Sequence, residues 1–165
     1  MLIAIISDIH DNLPNLKKCL TWCRDHQIKK LIFCGDATTT ETLAYLAVNF
    51  SGEIFIINGN IEISSTKKIK TYKHVNYYEE IAVKDIDKLK IGFCHEPQKI
   101  KKLIKLTGGN LDYIFYGHTH KPWLEKNGQI LIINPGNISG TFYQATFAVL
   151  ETVSRKIELK ILTNL

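Results

Sequence analysis

The apolar run Leu2 to Ile6 has the length of a strand and no polar alternation, which predicts a strand covered on both faces. It stops at Ser7-Asp8-Ile9-His10. Apolar positions then recur at Leu13, Leu16, Leu20 and Cys23, steps of three, four and three that predict a helix capped by Asp11 or Asn12, with Pro14 in its first turn. His26 should end it as an exposed residue complementing the helix dipole. Leu31 to Cys34 reads as a second buried strand, leaving through Gly35-Asp36. Thr40 to Phe50 reads as a second helix with Leu43, Ala47 and Phe50 inward, closed by Ser51-Gly52, and Ile54 to Ile57 as a third strand leaving through Asn58-Gly59-Asn60. Strands alternating with helices imply right-handed crossovers and a parallel sheet. Every polar exit then falls on the carboxyl edge, where such sheets bind ligands.

Beyond Asn60 the pattern changes. Ile61 to Lys73 is polar and basic without periodicity and reads as a loop. Strands are expected at Tyr77 to Val83 and at Leu89 to Cys94, the second leaving at His95. Pro97 to Leu106 is helical in pattern, stopped by Thr107-Gly108-Gly109-Asn110, and the apolar Tyr113 to Tyr116 leads into Gly117-His118-Thr119-His120. A hairpin of Trp123–Glu125 and Gln129–Ile133 should turn at Lys126-Asn127-Gly128, and Asn134-Pro135-Gly136 should turn the chain again. Phe142 to Glu151 and Lys156 to Leu162 are expected to close a second, mostly antiparallel sheet. Two sheets with helices outside them make an α/β protein of four layers, α/β/β/α.

Composition sets limits on this picture. A chain of 165 residues, 45% apolar and 22% charged, suits one globular domain over residues 1–165 and excludes a disordered chain. No apolar run approaches a membrane span, and the first run lacks the basic flank of a signal peptide, so no membrane partner is expected. Cys19, Cys23, Cys34 and Cys94 lie among apolar residues without the spacing of a zinc site or a disulfide framework, which points to the reducing cytoplasm. The net charge of +5 is modest. Lys99, Lys101, Lys102 and Lys105, and Lys67, Lys68, Lys70 and Lys73, read as solvated faces, since no stacking aromatics accompany them; no nucleic-acid partner is expected, while an oligomer is compatible with the sequence.

The chemistry lies in what ends the apolar runs. In extended chain, side chains two apart leave on the same face, so His118 and His120 should point together from a strand tip. Asp8 and His10, Asp36, Asn60 and His95 each follow an apolar run as well. Taken singly, each has an ordinary reading as cap, turn former or core histidine. Together they collect four of the six histidines on one edge, while His26 and His74 fall elsewhere and read as structural. Mixed carboxylate and imidazole donors suit a divalent transition metal such as Mn, Fe, Zn or Ni. Seven donors exceed one ion, and two ions bridged by Asp36 would use them all, an arrangement suited to in-line displacement at phosphorus.

The order Asp-x-His, Gly-Asp, Gly-Asn, His, Gly-His-x-His resembles the calcineurin-like metallophosphoesterase superfamily, and the short chain with Asn-Pro-Gly after the last histidines resembles its compact bacterial and archaeal phosphodiesterase branch. The resemblance runs from Met1 to about Leu162 and implies an α/β/β/α sandwich of two mixed sheets. It implies Asp8, His10 and His120 on a first metal, Asn60, His95 and His118 on a second, and Asp36 between them, with Mn the first expectation. The implied activity is hydrolysis of a small phosphate ester by attack of a metal-bridging hydroxide, with His118 and Asn60 stabilising charge on phosphorus oxygens. Asn12, at a helix N-terminus, is expected to contact phosphate. The alternative is a non-catalytic scaffold on the same fold, which the small retromer subunit resembles; such a scaffold should have lost ligands, and here all seven stand. A nucleic-acid enzyme of the superfamily would carry an added domain for which there is no room.

Two positions depart from that pattern. The second metal's histidine reads Cys94-His95-Glu96-Pro97 where relatives tend to have His-Gly-His, and Ile61 follows Asn60 where many members have a histidine that protonates the leaving group. A positioned general acid contributes about 10²- to 10⁴-fold. Without one, hydrolysis of diesters graded in leaving-group pKa should fall steeply as the leaving group becomes more basic, and Ile61→His should flatten the dependence. A flat dependence in the wild type that steepens in Glu62→Gln would instead make Glu62 the acid.

Overall fold

The computed structural model describes residues 1–60 and 71–165. The expectations for Ile61, Glu62 and the lysines Lys67, Lys68 and Lys70 concern residues outside that description. Strand β1 (Leu2–Ile6), helix α1 (Leu13–Asp25), strand β2 (Lys30–Phe33), helix α2 (Thr40–Asn49) and strand β3 (Glu53–Ile57) form two parallel crossovers, with Ala4 opposite Leu31 and Leu31 opposite Ile54. Both helices start on a side-chain cap: Asn12 accepts the Asn15 N–H at 3.1 Å, and Thr39 accepts that of Thr42 at 3.4 Å. His26 caps the far end of α1, its backbone N–H on the Trp22 carbonyl and its ring stacked on the Trp22 indole. His74 is structural in the same sense, its Nε2 lying 2.9 Å from the Ala47 carbonyl.

Strand β4 (Val75–Tyr78) adds to the first sheet parallel to β3, and β5 (Ile81–Ile86) opens the second by pairing antiparallel with β6 (Leu89–Cys94). The single strand expected over Tyr77 to Val83 is therefore two strands in different sheets. The break falls at Glu79-Glu80, where Glu80 binds Lys99 and Lys102, so a paired carboxylate marks the change of sheet. Those two salt bridges hold the Glu80 carboxyl down at about 2, Lys102 contributing most and Lys99 next. A short turn over Pro97–Lys99 leads into α3 (Ile100–Thr107), and β7 (Tyr113–Phe115), β8 (Trp123–Asn127) and β9 (Ile130–Asn134) complete the second sheet in the order β5-β6-β7-β9-β8. Its centre, β6-β7-β9, is parallel and its two edges antiparallel, so the sheet is mixed rather than mostly antiparallel. The hairpin turns on Gly128 and Gln129, between paired Asn127 and Ile130, one residue later than the sequence suggests.

The last two strands, β10 (Thr146–Glu151) and β11 (Lys156–Ile161), join the first sheet, which runs β11-β10-β1-β2-β3-β4. They were expected in the second. The physical reason lies in β1: with β2 on one side and both faces buried, its other row of backbone groups needs a partner, and β10 supplies it antiparallel, Leu2 opposite Glu151. The four-layer sandwich follows from alternation. Ala4 and Ile6 face α1 and α2, where they meet Leu16, Leu20 and Leu43, while Ile3 and Ile5 face the second sheet and meet Ile91, Phe93 and Phe115. On the outer face of the second sheet, Leu103 of α3 packs over Ile114, Ile130 and Ile132. Among the described residues no helix is long and apolar enough to cross a membrane.

Phe93 lies fully buried between the sheets, edge-on to Phe55 at 6.2 Å and to Tyr78 at 5.8 Å. Phe93→Ala should destabilise the protein by about 3–5 kcal/mol, read as a lower urea midpoint at constant m-value, whereas Val153→Ala, on an exposed turn, should stay within ~0.5 kcal/mol.

Candidate metal centre

The ends of β1, β2, β3, β6 and β7 meet at one edge of the sandwich, and the chain turns sharply at each. Five of the polar residues there, Asp8, His10, Asp36, His118 and His120, have left-handed backbone, with φ of 52°, 44°, 64°, 69° and 58°. That conformation disfavours any residue with a Cβ, and here it folds the chain back so that side chains face inward. Asp8 donates its N–H to the Gly35 carbonyl at 2.9 Å, and Ile9 and His10 donate theirs to the Asp36 carbonyl at 2.9 and 3.1 Å, locking the exits of β1 and β2 together. Two glycines make the close approach of the other exits feasible. A Cβ on Gly59 would lie 1.9 Å from Asp36 Oδ1, and one on Gly117 would lie 1.9 Å from Ser7 Oγ.

The side chains form two adjoining groups. In the first, His10 Nε2 and His120 Nε2 are 3.0 Å apart, and Asp8 Oδ1 lies 3.8 Å from the former and 3.4 Å from the latter. In the second, His95 Nε2 has Asp36 Oδ2 at 3.3 Å and Asn60 Oδ1 at 2.7 Å, and Asn60 Oδ1 is also 3.0 Å from His118 Nδ1. Asp8, His10 and His120 could hold one ion, and so could Asp8, Asp36 and His95; within each trio the donor atoms lie within 4.8 Å of one another. Asp8 belongs to both trios. Asp8, Asp36 and His95 are buried at the floor, and Asn60 and His118 stand exposed at the rim of a 440 Å³ pocket.

The donors fit a cation on their own chemistry. His95 Nδ1 lies 2.7 Å from the Cys34 carbonyl, which only accepts, so Nδ1 carries the proton and Nε2 turns its lone pair to the site. There it meets two more acceptors, Asp36 and Asn60. A second proton or a metal ion reconciles them, and the same holds where two imidazole nitrogens and a carboxylate oxygen converge at Asp8. Burial opposes a charged His95, yet the hydrogen bond it donates to Asp36 and the charges of Asp36 and Asp8 outweigh it and raise its pKa above the usual imidazole value. Cys34 and Cys94 are buried nearby, and burial pushes both thiols up, Cys94 to about 12. They stay neutral and offer no thiolate to a metal.

Asn12 sits apart from this set. Its carbonyl caps α1, its amide donates to the Ser139 carbonyl at 2.8 Å, and it does not line the pocket. Sequence reasoning missed the residues that hold the histidine turn. Asn134 donates to the Gly117 carbonyl at 2.9 Å and to Thr119 Oγ1 at 3.0 Å. Asn137, fully buried, donates to the His120 carbonyl at 3.0 Å and accepts from the Ser139 hydroxyl and from the N–H groups of Gly140 and Thr141 at 2.7, 2.6 and 3.1 Å. The Thr141 carbonyl in turn stands 3.4 Å from His120 Nδ1. Asn137 looks like a turn residue in sequence, and its bonds to Ser139, Gly140 and Thr141 are of that local kind; its bond to the His120 carbonyl, 17 residues back, is the one no local pattern reveals.

Comparison with known proteins gives consistent matches. The description of the calcineurin-like phosphoesterase superfamily domain matches residues 1–155. Phosphodiesterase MJ0936 of Methanocaldococcus jannaschii is 29% identical over 143 residues, 85% of this chain and 86% of that protein. The solved structure of an archaeal phosphodiesterase superposes with a TM-score of 0.87 at 26% identity, over 98% of this chain and 99% of that one. Vps29 from Entamoeba histolytica, solved with zinc, superposes with a TM-score of 0.69 over 97% of each chain, and at 18% identity it shares the fold alone.

The buried Asn137 carboxamide satisfies three donors and one acceptor in the turn beside His120. Asn137→Ala should destabilise the protein by about 1–3 kcal/mol in urea unfolding, and an unchanged midpoint would mean that the carboxamide does not hold the turn.

Proposed function

The chain belongs to the calcineurin-like phosphoesterase superfamily, and we propose that it is a single-domain phosphodiesterase, residues 1–165, that hydrolyses a small phosphate ester with two divalent transition-metal ions. The observation that carries this reading is Asp8, fully buried and shared by two adjoining sets of metal donors. Asp8, His10 and His120 would hold the first ion and Asn60, His95 and His118 the second, with Asp36 between them; Mn suits the mixed carboxylate and imidazole set, as do Fe, Zn and Ni. When bound, such ions supply Lewis-acid charge at phosphorus and a water of lowered pKa.

The chain's own residues do the rest. The floor carboxylates Asp8 and Asp36 fix the charge of the site, and the buried imidazole of His95 is aimed by its bond to the Cys34 carbonyl. Asn60 and His118, exposed at the rim, are the groups an incoming phosphate reaches first, and we assign them to steadying the negative charge that grows on its oxygens. The His118 backbone is held by its N–H on the Asp8 carboxylate at 3.1 and 3.2 Å, so the rim residue is preorganised by the floor residue. Asn12 supports the site at one remove, through Ser139. The 440 Å³ pocket suits a small ester, and Lys99 and Lys102 are occupied by Glu80, which weakens a nucleic-acid reading. The four buried free cysteines support a cytoplasmic setting. With no donor of the set missing, catalysis is favoured over the scaffold alternative.

Elemental analysis of metal-replete protein should find two ions per chain, both lost in Asp36→Ala and mainly one in His120→Ala. His118→Ala should remain folded and lose about 100-fold or more in kcat on an aryl diester. One tightly bound ion at most in the wild type, or unchanged diesterase activity in His118→Ala, would reject the assignment.

A further inference from the structure

The pocket over the metal centre is lined by polar side chains with one exception, the ring of Phe142. Phe142 is 87% exposed, the highest value for a large apolar side chain among the described residues. Its backbone is left-handed, φ 67°, a conformation that L residues with a Cβ avoid. The strand expected from Phe142 to Glu151 starts only at Thr146, and the segment before it is a tight loop folded over the site. The loop is held by several bonds: Asn137 Oδ1 accepts the N–H of Gly140 and of Thr141, and Ser139 Oγ accepts the Thr141 N–H at 3.2 Å. The result is a phenyl ring 5.8 Å from the His120 ring, inclined at 55° to it.

A phenylalanine that served only to fill space would be buried. One that was merely tolerated at the surface would need no strained loop pinned through Asn137. Phe has neither a proton to give nor a lone pair to offer, so its use at the mouth of a charged pocket is its flat face. We propose that Phe142 is the stacking platform for an aromatic ring carried by the substrate, so that the pocket selects aromatic over alkyl phosphate esters. The proposal rests on the phosphodiesterase reading above and names its substrate class. The ring stands next to His120, so a phosphate seated at the metal centre and an aryl group or nucleobase attached to it could engage both at once. Stacking of this kind accepts any flat ring, because every base and aryl group has a π-face.

The methyl, phenyl and thymidine-5′ esters of 4-nitrophenyl phosphate share one leaving group and differ in the group Phe142 would meet. With manganese-saturated wild type, kcat/KM should favour a ring-bearing ester over the methyl ester, and the phenyl and thymidine arms distinguish an aryl ester from a nucleotide as the ring's source. Phe142→Ala should reduce that preference by about tenfold, mainly through KM, and Phe142→Trp should preserve it. An equal loss on all three esters, or an unchanged preference, would overturn the proposal, and is also the result expected if a partner protein covers Phe142 instead. Turnover of none of the three would overturn the phosphodiesterase reading alone. Calorimetric binding of phenyl phosphate against methyl phosphate then decides: a roughly tenfold difference that Phe142→Ala abolishes supports the platform, and equal affinities in the wild type refute it.

Discussion

The carboxylate of Asp8 is the group on which the rest of the site depends. It is completely buried, and an ionised carboxylate in that position costs several kcal/mol unless its oxygens are bound. The His118 N–H binds it from the exit of β7, and the imidazoles of His10 and His120 lie beside it. The main chain of the same residue is tied to Gly35 after β2 and, through its carbonyl, to the N–H of Ser139 before β10. One residue thus fastens three strand exits and the loop that carries Phe142. The approach of strands from both sheets to a single point follows from keeping that charge satisfied.

The same requirement explains why strain is concentrated here. Five residues of the donor set sit in left-handed backbone, each disfavoured by about 1 kcal/mol or more. The backbone bonds between the exits of β1 and β2, and the Asn134 and Asn137 side chains behind the histidine turn, hold those conformations in place. Fold stability, supplied by three apolar layers, is in this sense drawn on to keep donor atoms facing one another.

Much of this was legible in sequence, for a physical reason: buried parallel strands are continuous apolar runs, and a run that ends in Gly-Asp, Gly-Asn or Gly-His announces both the strand and its exit. The crossovers from Leu2 to Ile57 were readable on that basis, and the hairpin after Trp123 from its Asn-Gly turn signal. The sheet that β10 and β11 join was not. Phe147 to Leu150 is buried on both faces, so no alternation told one sheet from the other. Tyr77 to Val83 looked like one strand because its aromatic and aliphatic residues favour strand on either side of the Glu79-Glu80 break. Phe142 looked like the start of a strand by composition, and only the bonds made by Asn137, five residues earlier in the loop, set its backbone otherwise. Side chains that end local elements were visible in sequence; those that brace one loop against another were not.

The pairing of β1 with β10 also orders events during synthesis. Leu2 lies opposite Glu151, so the central strand of the first sheet emerges from the ribosome long before the strand that covers its free edge. Until then β1, β2 and β3 present an apolar sheet with an open row of backbone groups, the kind of surface that recruits chaperones or associates with itself. Completion of the sheet late in translation also brings Ser139 to Asp8, so a nascent chain gains its finished first sheet and the last backbone tie of its candidate metal centre in the same closing step. Translation speed through the second half of the message is therefore a variable to which the yield of active protein should respond.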